Sequence, residues 1–253
     1  MPVKDNTAAL ELIATHPAWY HVIEVAPGVT TPGFADLRAL ASRVLPESLA
    51  GRRCLDVGTF DGFWSFEMER RGADEVVAID LEKGSDADWP PNTRDEIERE
   101  VAKMGAEWGA GFRIAREIMG SNVNRVVLSV YDLAPEHVGG PFDFILCGTL
   151  LQHLRDPVGA LERIRETLTP RGDLLLIESY SAPLTQRYRG RPVAEFRPAI
   201  PKSLFTWWVP NLAALHGWAA TAGFHETGPA VTGFQPGQGK DDRLATLSLK
   251  RSK

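Results

Sequence analysis

From residue 53 onward, short apolar runs alternate with amphipathic stretches, and this alternation limits the possible folds more than any other feature. A strand buried on both faces reads as an unbroken apolar run, and such strands occur where helices cover both sides of a parallel sheet. The pattern predicts strands at 53–57, 75–79, 125–131, 142–147 and 173–178. Helices are predicted at 61–71, in two pieces within 92–119 broken near Gly109 to Gly111, at 157–168 and at 210–222. After Gly223 the rhythm changes. Strands near 224–233 and 243–250 are joined by PGQGKDD, too short for a crossover helix, so they should pair antiparallel. The expectation is an α/β, Rossmann-like, doubly wound sheet of seven strands, mostly parallel, closed by a C-terminal antiparallel hairpin.

Residues 1–49 read as an N-terminal helical or lid extension, and 50–253 as the main domain. Residues 6–15 should be helical. Pro17, Pro27, Gly28, Pro32 and Gly33 then forbid a long regular element across AWYHVIEVAPGVTTPG. Phe34, Leu37, Leu40 and Val44 recur at helical spacing, and Pro46 ends that helix. The 253 residues suit one core. No run of about 18 apolar residues occurs and the start lacks a signal-like apolar region, so a cytoplasmic protein without membrane contact is expected. Cys54 and Cys147 are the only two cysteines and both sit in apolar runs, which predicts reduced core thiols.

A net charge of -5 argues against a protein that binds nucleic acid through overall charge. A local basic stretch exists nonetheless. Arg187, Arg189, Arg191, Arg197 and Lys202 are opposed only by Glu195, a net +4, and read either as a nucleic-acid contact or as a solvated loop.

The chemistry is expected at Cys54-Leu55-Asp56-Val57-Gly58-Thr59-Phe60-Asp61-Gly62, a strand entering a glycine turn ahead of a helix. Doubly wound sheets bind ligands beyond the carboxyl ends of their strands, where strand order reverses. A dinucleotide turn needs G-x-G-x-x-G to approach a pyrophosphate, whereas Gly58 and Gly62 stand four apart with Phe60 between them. Asp80 ends the second strand 18 positions after Gly62, with Leu81 beside it, and a carboxylate there can accept ribose hydroxyls. Val130-Tyr131-Asp132 offers an edge to an adenine, and Cys147-Gly148-Thr149 ends the fourth strand.

Asp56-x-Gly58-x-x-x-Gly62, Asp80, Asp132 and the run after Cys147 together resemble the class I S-adenosylmethionine-dependent methyltransferases over residues 50–250. The resemblance implies S-adenosyl-L-methionine as cofactor and S-adenosyl-L-homocysteine as product. It places Asp56 to Gly62, including Thr59 and Phe60, against the methionyl part, Asp80 on the ribose and Tyr131-Asp132 by the adenine. WYHVIEVAPGVTTPG, LDVGTFDGFWSFEMERRGA, LSVYDL and WWVPN are similar to the branch that contains the tRNA wobble-uridine carboxymethyltransferase. Small members of similar layout methylate metabolite hydroxyls, and the chain also resembles a small sugar O-methyltransferase such as that of mycobacterial methylmannose polysaccharide synthesis.

Methyl transfer to an alcohol needs alignment of the acceptor and removal of its proton. His153, leaving the fourth strand in Thr149-Leu150-Leu151-Gln152-His153, is the expected base, and the related branch has a histidine there. The alternative is a histidine that caps the next helix or packs on the cofactor. Glu178 ends the fifth strand and is expected to orient His153, bind substrate or ligate a cation, unless it is a hydrogen-bonded strand-end carboxylate. A divalent metal is conceivable but not predicted, because no tight ligand spacing supports it. Tyr20 and His21 in the lid and Trp208 before the last helix are the expected acceptor contacts, with packing as the alternative for each.

The expected function is methylation of a small-molecule hydroxyl, on a sugar or polyol-like acceptor. The alternatives are a tRNA-modifying methyltransferase and a cofactor-binding scaffold without turnover. Oligomeric state is not encoded in any feature recognised.

Overall fold

The computed structural model describes residues 5–90, 94–96, 99, 107–197, 206–234 and 242–252. The extension holds helix α1 (Asn6–Ala14), the hairpin β1 (Glu24–Ala26) and β2 (Val29–Thr30), and α2 (Arg38–Val44). Then follow β3 (Arg53–Val57), α3 (Phe63–Arg70), β4 (Glu75–Asp80), α4 (Ala110–Met119), β5 (Asn124–Val127), β6 (Phe142–Gly148) and α5 (Pro157–Glu166). The chain continues through β7 (Leu168–Ser181), α6 (Ala182–Tyr188), β8 (Ala194–Phe196), β9 (Trp208–Pro210), α7 (Leu212–Thr221), β10 (Phe224–Glu226), β11 (Val231–Phe234) and β12 (Asp242–Arg251).

The main sheet runs β10-β12-β7-β6-β3-β4-β5, with β11 added against β12. β7, β6, β3, β4 and β5 are parallel, while β10, β11 and β12 pair antiparallel. The described sheet therefore has eight strands where the sequence suggested seven, because Gly228 and Pro229 split the stretch 224–233 into β10 and β11. From β3 the chain winds outward to β4 and β5, then returns to the other side of β3 as β6. That reversal opens a crevice at the carboxyl ends of β3 and β6.

Alternate strand residues feed two apolar cores. Cys54, Leu175 and Ile177 join α1, α2, α3 and α4 on one face, while Leu55, Val57, Leu174 and Leu176 join α5 and α7 on the other. Each fully buried leucine contributes about 1.5–3 kcal/mol. Ala9, Ile13, Trp19, Ile23 and Leu40 of the extension lie in the first of these cores. α5 starts where Asp156 accepts the Gly159 N–H at 2.8 Å and Pro157 fills the first turn.

Several predicted boundaries shift, and the helix expected from Phe34 begins only at Arg38, leaving Phe34 exposed outside it. β5 ends at Val127 rather than 131, because the Ser129 hydroxyl accepts the Tyr131 N–H and turns 130–132 into a single 3-10 turn. β7 runs past 173–178 at both ends, its far end paired up to Ser181 opposite Asp242. α3 begins at Phe63, since Gly62 (φ +92°) still belongs to the turn. Most of the first helical piece predicted within 92–119, most of PGQGKDD, and Lys202 lie outside the described residues.

Candidate active site

The turn after β3 is fastened to the neighbouring strand: the N–H groups of Gly58 and Thr59 both donate to the Ile79 carbonyl, at 3.0 and 3.2 Å. Gly58 holds φ +76°, and a Cβ there would come within 3.3 Å of the Leu150 side chain. A glycine is needed on both counts. Phe60, between the glycines, also adopts a positive φ of +49°, as does Thr149 at the matching turn after β6. Non-glycine residues held this way concentrate at functional sites.

Three carboxylates converge on the turn. Asp80 accepts the Phe60 N–H on one oxygen and the Leu81 N–H on the other, each at 2.7 Å. Asp61 accepts the N–H groups of Tyr20 and His21 at 2.7 and 3.0 Å. Asp56 accepts the Ser65 hydroxyl at 2.7 Å, while its other oxygen is buried with no partner. Thr59 is buried and shares a 3.0 Å hydrogen bond with Ser65. Burial pushes the Asp56 and Asp61 carboxyls up to about 6, and it raises Asp80 as well. His21, 3.8 Å from Asp61, is itself driven down to about 3 by burial and so is neutral, while the Arg125 guanidinium, which donates to the Leu81 carbonyl at 2.7 Å, acts on Asp80. The turn is thus an electronegative cradle suited to a cationic ligand, and a diphosphate would be repelled there.

His21 is packed within the wall, 5% exposed, with its ring 5.7 Å from Phe63. Tyr20 is different: its phenol lies near Thr149 and in the field of Glu178, while its ring meets Phe34 and Phe60 edge-on at 4.6 and 5.7 Å. The lid therefore brings Tyr20 to the mouth of the crevice.

Glu178 is fully buried. It accepts the Leu151 N–H at 2.6 Å and the Ser179 N–H at 2.8 Å, with the Leu150 and Gln152 amides contributing. Burial outweighs these donors and raises its carboxyl to about 7. Its observed partners are main-chain groups, so it pins the turn that carries His153. His153 lies half-buried on the 3-10 turn Leu151–His153, and its Nε2 is 3.3 Å from the Gln152 amide nitrogen. With that amide as donor, Nε2 carries the lone pair and the ring proton sits on Nδ1.

Tyr131 and Asp132 stand apart from each other. The Tyr131 hydroxyl donates to Asp88 at 2.9 Å and accepts the Asp156 N–H at 3.1 Å, whereas Asp132 is exposed. Cys147 is buried in the core, and Gly148 leaves room for Trp64, whose Nε1 would be 2.9 Å from a Cβ. Trp208 is half-buried in β9 and donates to the Arg155 carbonyl at 3.3 Å, while Trp207 is buried and donates to the Asp88 carbonyl at 2.9 Å. Among the described residues no cluster of three His, Cys, Asp or Glu is placed to hold a metal, and no helix is long and apolar enough to cross a membrane.

Sequence reasoning misses two members. Asp61 lies within the motif but its partners are 40 and 41 positions away in an aperiodic segment. Asp88 joins three loops at the crevice through Tyr131, Arg155 and Trp207, from a stretch with no periodic signal.

Comparison with known proteins bears on this arrangement. The ubiquinone biosynthesis O-methyltransferase of Xanthomonas euvesicatoria pv. vesicatoria is 34% identical over 128 residues, covering 51% of this chain and 43% of that one. The tRNA U34 carboxymethyltransferase of Azotobacter vinelandii is 30% identical over 185 residues, covering 73% of this chain and 49% of that one. The chain thus spans less than half the length of these curated relatives. The N-terminal domain of EvdMO1, solved in the presence of SAH and D-fucose, shares the fold at a TM-score of 0.62 and 16% identity, over 100% of this chain and 98% of that one. Residues 33–225 match the family described as "Methyltransferase domain", to which this chain belongs.

Proposed function

We propose that the chain transfers a methyl group from S-adenosyl-L-methionine to a hydroxyl of a small molecule. The observation that carries this reading is the buried acidic turn: Asp56 and Asp61 lie there with no charged cationic partner, Asp80 feels only Arg125 from outside the turn, and one Asp56 oxygen has no hydrogen-bond partner. A sulfonium and an ammonium on one ligand fit that field. Asp56 and the Gly58–Gly62 turn would hold the methionyl part, and Asp80 with Leu81 the ribose. The cofactor, when bound, supplies an activated methyl carbon.

The remaining work falls to this chain's side chains. His153 would take the acceptor proton at Nε2 once the acceptor hydroxyl replaces the Gln152 amide at that lone pair. Glu178 fixes the turn from which His153 projects. Tyr20 shields the mouth from water, and Trp208 offers an indole edge to a ring-shaped acceptor. The relatives named as ubiquinone O-methyltransferases favour a hydroxyl acceptor, and a sugar is the narrower candidate, motivated by the D-fucose present with the EvdMO1 domain.

A tRNA acceptor is the second reading, favoured by the relatives named tRNA U34 carboxymethyltransferase and by the exposed Arg187, Arg189 and Arg191. Labelled methyl transfer run side by side on bulk tRNA and on hydroxylated metabolites tests both. Product on metabolites with weak salt dependence supports the first reading, and product on tRNA alone overturns it.

A further inference from the structure

Beyond the acidic turn, the same sheet edge carries a second recess of opposite character. Gln152, Ser179, Tyr180, Arg197, Thr206 and Val209 line a small cleft of about 30 Å³. That is below the ~300–1,000 Å³ of pockets that enclose a whole ligand, so it holds one substituent of a larger molecule. Its walls come from the ends of β6 and β7 and from the β8–β9 hairpin. Gln152 is the residue before His153, which puts the cleft on the acceptor side of the crevice.

Arg197 is held in place by its backbone. Its N–H donates to the Trp207 carbonyl at 2.9 Å, extending the β8–β9 ladder. The buried Asn211 side chain anchors the base of that hairpin: it accepts the Val193 and Ala214 N–H groups and donates to the Arg191 carbonyl. Phe196, next to Arg197, packs on Trp207 and Trp208 at 6.2 and 5.5 Å between ring centroids. Among the described residues no carboxylate is paired with Arg197, and the acid nearest the cleft in sequence, Glu178, is turned inward on main-chain amides. Arg197 in the lining of a small recess, beside the hydrogen-bonding residues Gln152, Ser179 and Thr206, suits the charge and hydrogen-bonding capacity of an oxyanion.

We infer that this cleft binds a carboxylate or phosphate group of the methyl acceptor, so that the acceptors are anionic small molecules. The inference rests on the methyltransferase reading for the word acceptor, but the anion site itself can be tested alone.

Protein saturated with S-adenosylhomocysteine is titrated with benzoate and, separately, with inorganic phosphate at constant ionic strength, followed by ligand-observed NMR. Wild type, Arg197→Ala, Arg197→Gln and the exposed-arginine control Arg189→Ala are compared, with circular dichroism to verify folding. Saturable binding of one probe is expected, weakened at least tenfold in both Arg197 variants and unchanged in Arg189→Ala. Benzoate binding assigns a carboxylate and phosphate binding a phosphoryl group. Equal binding in the Arg197 variants, or no saturable binding of either probe to wild type, overturns the site. Calorimetry with S-adenosylhomocysteine on the same samples separates the two ideas: no heat with wild type removes the methyltransferase reading, while the anion titration without that ligand still decides the cleft.

Discussion

The main-chain N–H of Tyr20 donates to the Asp61 carboxylate at 2.7 Å although 41 positions separate them, and the next N–H, from His21, reaches the same oxygen at 3.0 Å. One acid of the glycine turn thereby fixes the lid over the crevice. Asp61→Ala would leave two buried donors without partners, at about 1–3 kcal/mol for each. We expect it to lower stability by roughly 2–4 kcal/mol in urea unfolding. Asp61→Asn keeps a carbonyl oxygen for both donors and sheds a buried charge, so its loss should stay below about 1 kcal/mol. Equal losses in the two variants would count against this role.

Burial raises Asp56 and Asp61 to about 6 and Glu178 to about 7. In the unfolded chain these groups titrate near 4. At these three groups the folded state holds more protons than the unfolded state between about pH 4 and 7; His21 and His16, both lowered, oppose them below about pH 6.5, but the three raised carboxyls outweigh the imidazoles and stability should fall as pH rises through that window. The urea midpoint should be lower at pH 8 than at pH 5, and Asp56→Asn should flatten the slope. A midpoint that climbs from pH 5 to 8 would contradict the burial argument.

Glu178 accepts main-chain N–H groups on both oxygens. Glutamine offers one acceptor and turns an NH₂ toward a donor, so Glu178→Gln should cost about 1–3 kcal/mol of stability. A catalytic carboxylate would behave otherwise, losing turnover while the unfolding curve stayed in place. The two measurements on one variant distinguish a pinning role from a chemical one.

Strands β3 and β6 are legible in the sequence because burial on both faces writes an apolar run of strand length. The added ends of β7 are not, since they rest on pairing with β12, a property of the partner strand rather than of local composition. Ser129 ends β5 by a side-chain hydrogen bond that hydrophobic periodicity does not report. At the site, the glycine spacing and Asp80 can be read directly because backbone conformation and ribose chemistry restrict those residue types. Asp61 and Asp88 act through contacts 40 or more positions away, and no local pattern encodes them. Tyr20 and His21 show the same limit: adjacent in sequence, they face a crevice mouth and a packed wall respectively.

His153→Ala should reduce turnover by roughly 10²- to 10⁴-fold, the usual contribution of a positioned base. Affinity for S-adenosylhomocysteine should change little, because the proposed cofactor cradle lies at the ends of β3 and β4 while His153 follows β6. Steady-state methyl transfer together with calorimetry reads both quantities. Full activity in the variant would remove His153 from the mechanism.

The same carboxylates that weaken the fold at high pH should strengthen cofactor binding there. A sulfonium and an ammonium placed beside Asp56, Asp61 and Asp80 favour their ionised forms, so binding must expel protons from any that still hold them. Between pH 5 and 7 the amino group of the ligand stays charged, its reference value being about 7.7–8.0. Affinity for S-adenosylmethionine should therefore rise with pH over that interval and level off above it. Calorimetry in two buffers of different ionisation enthalpy should record net proton release at pH 5.5 and less at pH 7.5. Asp80→Ala should lower affinity at least tenfold, since it removes both the proposed acceptor for ribose hydroxyls and the brace on the Phe60 N–H. Proton uptake on binding at pH 5.5, or an Asp80→Ala variant with unchanged affinity, would show that the acidic turn does not hold the cofactor.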